Sequence, residues 1–202
     1  MIGILGGSFD PIHYGHLRTA LDVQQALDLE QVRLIPLRDP SHRGALDVSP
    51  ETRLAMVSAA VAGETCLRAD DRELKRSGKS YTLDTLVSLR EEIGAQPICL
   101  LMGTDAFRSF PDWHKPDEIF GQAHLVVMQR PGEARPEIYP ERTVGTKEAL
   151  KRQPAGCVLF LQVTQLEISA TGIRTMLRLG RSPRYLLPDE VLSIIRQQQL
   201  YL

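Results

Sequence analysis

The chain has 202 residues, 43% hydrophobic and 24% charged, the balance of an ordinary globular domain and too little length for two full ones, so disordered and fibrous classes are excluded. Its 24 Lys and Arg against 25 Asp and Glu leave a net charge of −1, which denies it the general basic field of a dedicated nucleic-acid binder. Apolar runs such as 98–102 fall far short of the roughly 18 residues that span a bilayer, so no membrane partner is expected.

Taken in order, short β-rich runs alternate with amphipathic helical stretches. This is the pattern of an α/β fold, a Rossmann-like, doubly wound and mainly parallel sheet. Residues 2–5 are expected to form the first strand; Met1 leads straight into it without the basic flank and apolar region of a secretory signal, so a cytoplasmic location is expected. Leu17, Ala20, Leu21, Gln24 and Leu27 then follow helical spacing. A second strand is expected at 32–35. Ser49 followed by Pro50 reads as an N-cap with proline at the first helical position, and Leu54, Val57 and Val61 supply the core-facing stripe. A strand over 65–69, a helix marked by Leu83, Leu86 and Val87, and buried strands at 98–102 and 125–128 come next. Residues 129–156 carry Pro131, Pro136, Pro140 and Pro154 among many charges and read as a surface excursion without an assignable structure. A strand at 158–163, a helix at 171–179 closed by Gly180 and a final helix at 189–198 complete the chain. We expect one domain over 1–202, with 165–202 as a small C-terminal helical part. Cys66, Cys99 and Cys157 are odd in number and set in apolar stretches, so they read as reduced core thiols.

The most informative stretch joins the first strand to the first helix: Gly6-Gly7-Ser8-Phe9-Asp10-Pro11-Ile12-His13-Tyr14-Gly15-His16. Glycines at the carboxyl end of an early strand let backbone approach a ligand, and the following helix start offers free N–H groups to phosphate. The spacing is neither the dinucleotide fingerprint nor a P-loop. His13 and His16 lie three apart, near enough for both to touch one phosphate, and imidazoles there donate hydrogen bonds to a phosphoryl group whose charge rises during transfer. Gly15 between them leaves room for a ring. A metal held by the two histidines finds no third ligand nearby.

A second anion-binding helix start follows the last strand at Ile168-Ser169-Ala170-Thr171-Gly172-Ile173-Arg174, where Ser169 or Thr171 can cap and Arg174 lies in the first turn. The two motifs supply complementary halves of a triphosphate site. Asp105, just beyond a buried strand, is suited either to accept hydrogen bonds from ribose hydroxyls or to cap the next helix.

The element Gly7-Ser8-Phe9-Asp10-Pro11-x-His13-x-Gly15-His16 resembles the H-x-G-H signature of the nucleotidylyltransferase superfamily, and residues 168–174 resemble its I-S-[ST]-T-x-[IV]-R element, with Ala170 in place of a hydroxyl residue. Glu73-Leu74-Lys75-Arg76, Ser80-Tyr81-Thr82-Leu83-Asp84-Thr85-Leu86, Gly103-Thr104-Asp105, Phe110-Pro111-x-Trp113-His114 and Pro40-Ser41-His42-Arg43 extend the likeness to the bacterial nicotinate-nucleotide adenylyltransferases. The resemblance implies an enzyme of NAD biosynthesis that joins the AMP of ATP, with Mg²⁺, to nicotinate mononucleotide, giving deamido-NAD and pyrophosphate. ATP would lie on Gly6, Gly7, Ser8, Phe9, His13, His16, Gly103, Asp105, Ser169, Thr171 and Arg174. Trp113 would form a platform for the pyridine ring, with Thr82 and the backbone at His114 meeting the carboxylate and Asp105 a ribose; His42 and Arg43 would approach the phosphates. Ser41 stands where the family usually has a second proline.

His13, His16, His42 and Arg43 are therefore the candidate catalytic set for a direct in-line transfer without a protein nucleophile. Competing readings are a nicotinamide-nucleotide or phosphopantetheine adenylyltransferase, which would share the phosphate machinery, and a non-catalytic nucleotide-binding regulator, which would not need both histidines. The sequence admits a homo-oligomer without requiring one.

Overall fold

A computed structural model describes residues 1–39, 46–129 and 132–202. Seven strands, β1 (Ile2–Gly7), β2 (Gln31–Pro36), β3 (Leu67–Ala69), β4 (Ile98–Gly103), β5 (His124–Gln129), β6 (Thr143–Val144) and β7 (Val158–Gln162), form one sheet in the order β3-β2-β1-β4-β5-β7-β6. Every pairing is parallel. The order runs away in opposite directions from the β1/β4 pair, and loops leaving their carboxyl ends diverge there to open a crevice.

Strand side chains divide between two cores, as period-2 alternation requires. On one face Leu5, Val32, Leu34, Cys99, Leu101 and Val126 pack with α1 (Tyr14–Leu27), α2 (Pro50–Val61), α7 (Ala170–Arg178) and α8 (Asp189–Gln197). On the other, Ile2, Ile4, Leu100, Met102, Leu125 and Val127 meet α3 (Thr82–Ile93), the short α4 (Thr104–Arg108) and α5 (Pro116–Gln122). β4 is apolar along its length because both its faces are covered, as the sequence predicts for a central parallel strand. The sheet is thus doubly wound, and the C-terminal helices belong to the same core as α1 and α2 through Ile173, Val191, Leu192 and Ile195.

The cap predicted at Ser49 is present, its hydroxyl accepting from the Thr52 N–H at 3.2 Å. Three expectations need correction. The third strand is shorter than 65–69, beginning only at Leu67. The segment after β5 is not only a surface excursion: it supplies β6 to the sheet edge and α6 (Lys147–Lys151), whose Leu150 is fully buried. Cys99 and Cys157 are core thiols, but Cys66 is only half-buried, in the turn before β3, where its thiol donates to Glu64. Among the described residues no helix is long and apolar enough to cross a membrane.

Candidate active site

A cleft of about 600 Å³ opens at the carboxyl ends of the central strands. The first residues of three helices line it: His13, Gly15 and His16 at α1, Tyr81 and Thr82 at α3, and Ser169, Ala170 and Thr171 at α7. The first N–H groups of a helix have no intrahelical partner, and the aligned peptide dipoles favour negative charge there. Three such ends around one cavity make a receptor for ligands anionic at both ends.

His13 is the N-cap of α1, in extended conformation, and the helix begins at Tyr14. The two imidazoles therefore do not project from successive helical positions; they stack, ring centroids 3.8 Å apart and planes 26° from parallel. Phe9 sets its edge against His16 at 5.1 Å and 83°. Gly15 is required by this packing, because a Cβ there would lie 2.9 Å from His13 Nδ1. Burial pushes the His13 pKa down to about 4; burial, then repulsion from His13, pushes that of His16 down to about 3. Both rings are neutral near pH 7, and both Nδ1 atoms are buried with no hydrogen-bond partner among the described residues.

The loop that carries them is pinned from several directions. Arg53 on α2, fully buried, donates to the Ser8 carbonyl at 2.7 Å and to the Leu37 carbonyl at 2.6 Å. Ser169 caps α7, its hydroxyl accepting from the Gly172 N–H at 3.1 Å, so Thr171 keeps the freer hydroxyl at that helix start. At the other end of the cleft Trp113 is half-buried: one part packs on Phe110 at 5.4 Å, while the residue also lines the cavity. Tyr81 lies 4.4 Å from the His114 ring beside Thr82.

Of the residues singled out from the sequence, the cleft brings together Gly7, Ser8, His13, His16, Thr82, Trp113, His114, Ser169 and Thr171. Others lie apart from its lining. Phe9 is 1% exposed, so its side chain serves the core and His16 rather than a ligand. Gly6 and Gly103 stand in open space at strand ends. Asp105 neither caps α4 nor faces the cleft; its exposed carboxylate pairs with Arg108 at 2.9 Å. Arg174 turns away from the cavity, with Nη1 on the Asp10 carbonyl at 2.8 Å and Nε 2.9 Å from Asp47. His42 and Arg43 lie outside the described residues.

Sequence reasoning missed Gln165 and Leu166, which with Ile168 close the cleft from the irregular segment after β7, and Ile119 and Leu37. It also missed Arg53. Glu73, by contrast, supports the family motif from inside: it is buried, accepts from the Thr85 hydroxyl at 2.6 Å and steadies the start of α3.

The cytidylyltransferase-like family model matches residues 4–176. A probable nicotinate-nucleotide adenylyltransferase of Methylococcus capsulatus is 48% identical across 100% of this chain and 99% of its own. The chain belongs to the cytidylyltransferase-like family, among its nicotinate-nucleotide adenylyltransferases. Another such relative, from Marinobacter nauticus, is 49% identical over 98% of this chain and 95% of its own. The fold also matches a solved structure of Plasmodium falciparum nicotinic acid mononucleotide adenylyltransferase complexed with NaAD, with a TM-score of 0.76 at 16% identity, covering 99% of this chain and 96% of that one.

Proposed function

We propose that the protein transfers the AMP unit of ATP to nicotinate mononucleotide, forming deamido-NAD and releasing pyrophosphate. The observation that carries this reading is the convergence of three helix starts and a stacked histidine pair on one cleft with a tryptophan face at its far end. On this reading, an oxygen of the mononucleotide phosphate attacks the α-phosphorus of ATP in line. A new P–O bond forms as the bond from that phosphorus to the bridging oxygen breaks, and the electron pair leaves with pyrophosphate. No protein nucleophile is involved, and holding two anions together in attack geometry is worth about 7 to 11 kcal/mol of barrier.

The stacked histidines serve the migrating group. Because their Nδ1 atoms are buried without partners, we assign the proton of each neutral ring to Nε2, the tautomer that spares a buried N–H. Each can then donate as charge builds on the phosphoryl oxygens. Thr171 and the first N–H groups of α7 receive the polyphosphate. Arg174, which here pairs with Asp47 and donates to the Asp10 carbonyl, is assigned to join them once it releases Asp47. Gly6, Gly7 and Ser8 give the backbone approach, and His42 and Arg43 are assigned supporting contacts to the phosphates. Gly103 and Asp105 are assigned to the ribose side.

Among the described residues the cleft lining includes no Asp or Glu, and no group of three or more His, Cys, Asp or Glu could hold a metal ion. This donor set fits Mg²⁺ that would enter with the polyphosphate of ATP, where it would supply neutralisation of charge on the departing pyrophosphate. At the acceptor end Trp113 offers its ring face, and Thr82 with the N–H groups at the start of α3 and at His114 selects a carboxylate over an amide, which would present a donor where an acceptor is wanted. We treat 1–202 as one nucleotidylyltransferase domain with 165–202 as its helical C-terminal part, working in the cytoplasm.

The test is to incubate the protein with MgATP and, separately, nicotinate mononucleotide, nicotinamide mononucleotide or phosphopantetheine, measuring pyrophosphate and product mass. Preferential formation of deamido-NAD is expected. Equal use of acid and amide would defeat the acceptor assignment, and no pyrophosphate with any acceptor would defeat the enzymatic reading.

A further inference from the structure

Between Gly7, where β1 ends, and Tyr14, where α1 begins, the loop has no sheet or helix ladder of its own. Its shape is imposed from outside. Arg53 holds the Ser8 carbonyl, Ile12 is wholly buried, and the Tyr14 N–H donates to the Leu186 carbonyl at 3.0 Å. The middle of the loop is Asp10, itself 2% exposed. Its Oδ1 accepts from the Tyr201 hydroxyl at 2.6 Å, its Oδ2 from the Asp47 N–H at 3.2 Å, and its carbonyl from Arg174.

Tyr201 follows α8, is buried in the core shared with α1 and α2, and does not line the cleft. Its φ of +64° is one that a side-chain-bearing residue adopts only when its surroundings hold it there. Burial, and then the carboxylate beside it, push the phenol pKa up, so the hydroxyl remains a donor. Of the two donors among the described residues that reach the Asp10 carboxylate, the phenol is the nearer. A buried carboxylate that loses such a donor must turn toward another or draw in water. Only Pro11 and buried Ile12 separate Asp10 from His13, leaving little slack to absorb that movement.

We infer that Tyr201 is a positioning residue for phosphoryl transfer: through the Asp10 carboxylate, its hydroxyl fixes the loop that presents His13 to the cleft. The inference rests on the function proposed above. Tyr201→Phe keeps the ring and its packing and removes only the donor; Asp10→Asn and the double variant complete a cycle. Turnover, the KM values for ATP and nicotinate mononucleotide, thermal unfolding and amide hydrogen exchange are measured on the full chain. Tyr201→Phe is expected to lower kcat about ten- to a hundredfold, since misplacement near 1 Å has that cost. The KM for the mononucleotide should stay within about twofold, because the acceptor end is not touched. Exchange should quicken in the peptide spanning residues 8–17 and not in β4. The double variant should be no worse than the poorer single one.

A Tyr201→Phe protein with kcat within about twofold of the parent and unaltered loop exchange would overturn the inference, as would losses in the two single variants that simply add. If the parent makes no deamido-NAD, the proposed function fails. In that event the exchange comparison alone decides whether Tyr201 holds the loop.

Discussion

Replacing Gly15 by alanine should separate chemistry from stability. The added methyl would sit 2.9 Å from His13 Nδ1 and 3.0 Å from Cε1, where ordinary contact begins at 3.4 Å, so the ring must retreat by about 0.5 Å. It has no free direction inward: His13 is 5% exposed and stacks on His16 at 3.8 Å. The ring must therefore push its partner or swing into the cleft, and either movement spoils the paired approach to the phosphoryl oxygens. Misplacement on this scale predicts a kcat about ten- to a hundredfold lower. The fold should barely notice. Gly15 lies in the first turn of α1 without a left-handed φ, so alanine gains up to about 1 kcal/mol of helix preference. Displacing the ring costs a similar amount, leaving Tm within a few degrees of the parent. Pyrophosphate release under single-turnover conditions, beside a thermal melt, reads both quantities. A variant with parental kcat and parental Tm would refute the claim that Gly15 sets the histidine pair.

Three further outcomes are expected. His16→Ala should retain the fold and lose about two to four powers of ten in turnover, the usual size of a lost transition-state donor or acid; near-normal turnover would reject its assignment. His13 and His16 titrate near 4 and 3 in the fold, below the ordinary 6.5, so the unfolded chain binds these protons first. Their contribution to stability is full above pH 6.5 and is lost as pH falls from there through about 4 for His13 and about 3 for His16; denaturant melts of His13→Ala should show a flatter acid limb, and an identical limb would contradict the shift. Asp47 holds Arg174 at 2.9 Å and Arg178 at 3.1 Å, so Asp47→Asn should free Arg174 and lower the KM for ATP about two- to tenfold, as steady-state kinetics would show. A raised KM would mean that Arg174 acts without leaving Asp47.

Much of this arrangement was legible because short-range chemistry dictates it. The glycine loop follows a strand and precedes a helix, and of the two residues that could cap the helix after β7, Ser169 does. The direction of side chains was another matter. Arg174 has an intrahelical position fixed by sequence, but its partner, Asp47, stands 127 residues earlier, and nothing local reports that pairing. Asp105 follows a buried strand, as its place in the sequence indicates, but nothing in that position announces that Arg108, one turn on, pairs with its exposed carboxylate. Gln165 and Leu166 escaped notice because irregular backbone has no period, although the Ile168 N–H reaches back to the Leu166 carbonyl at 2.7 Å to shape the wall. Arg53 drew no reading at all, since nothing in its neighbourhood sets it apart from other charges. Only the fold reveals that it is wholly enclosed.

That enclosure has a mechanical meaning. β1 and β2 stay paired as far as Gly7 and Pro36, and the Leu37 N–H still reaches the Gly7 carbonyl at 3.0 Å. Past that rung the strands part, and the carbonyls of Ser8 and Leu37 lose the neighbours a sheet would have given them. The guanidinium of Arg53 stands in for the missing strand, adding a third contact to Val48 at 3.2 Å. Its planar fork stays protonated across any pH the cell meets. The sheet can therefore open at its mouth with its edge carbonyls still satisfied, held there by one side chain reaching in from a helix that, among the described residues, does not line the cleft.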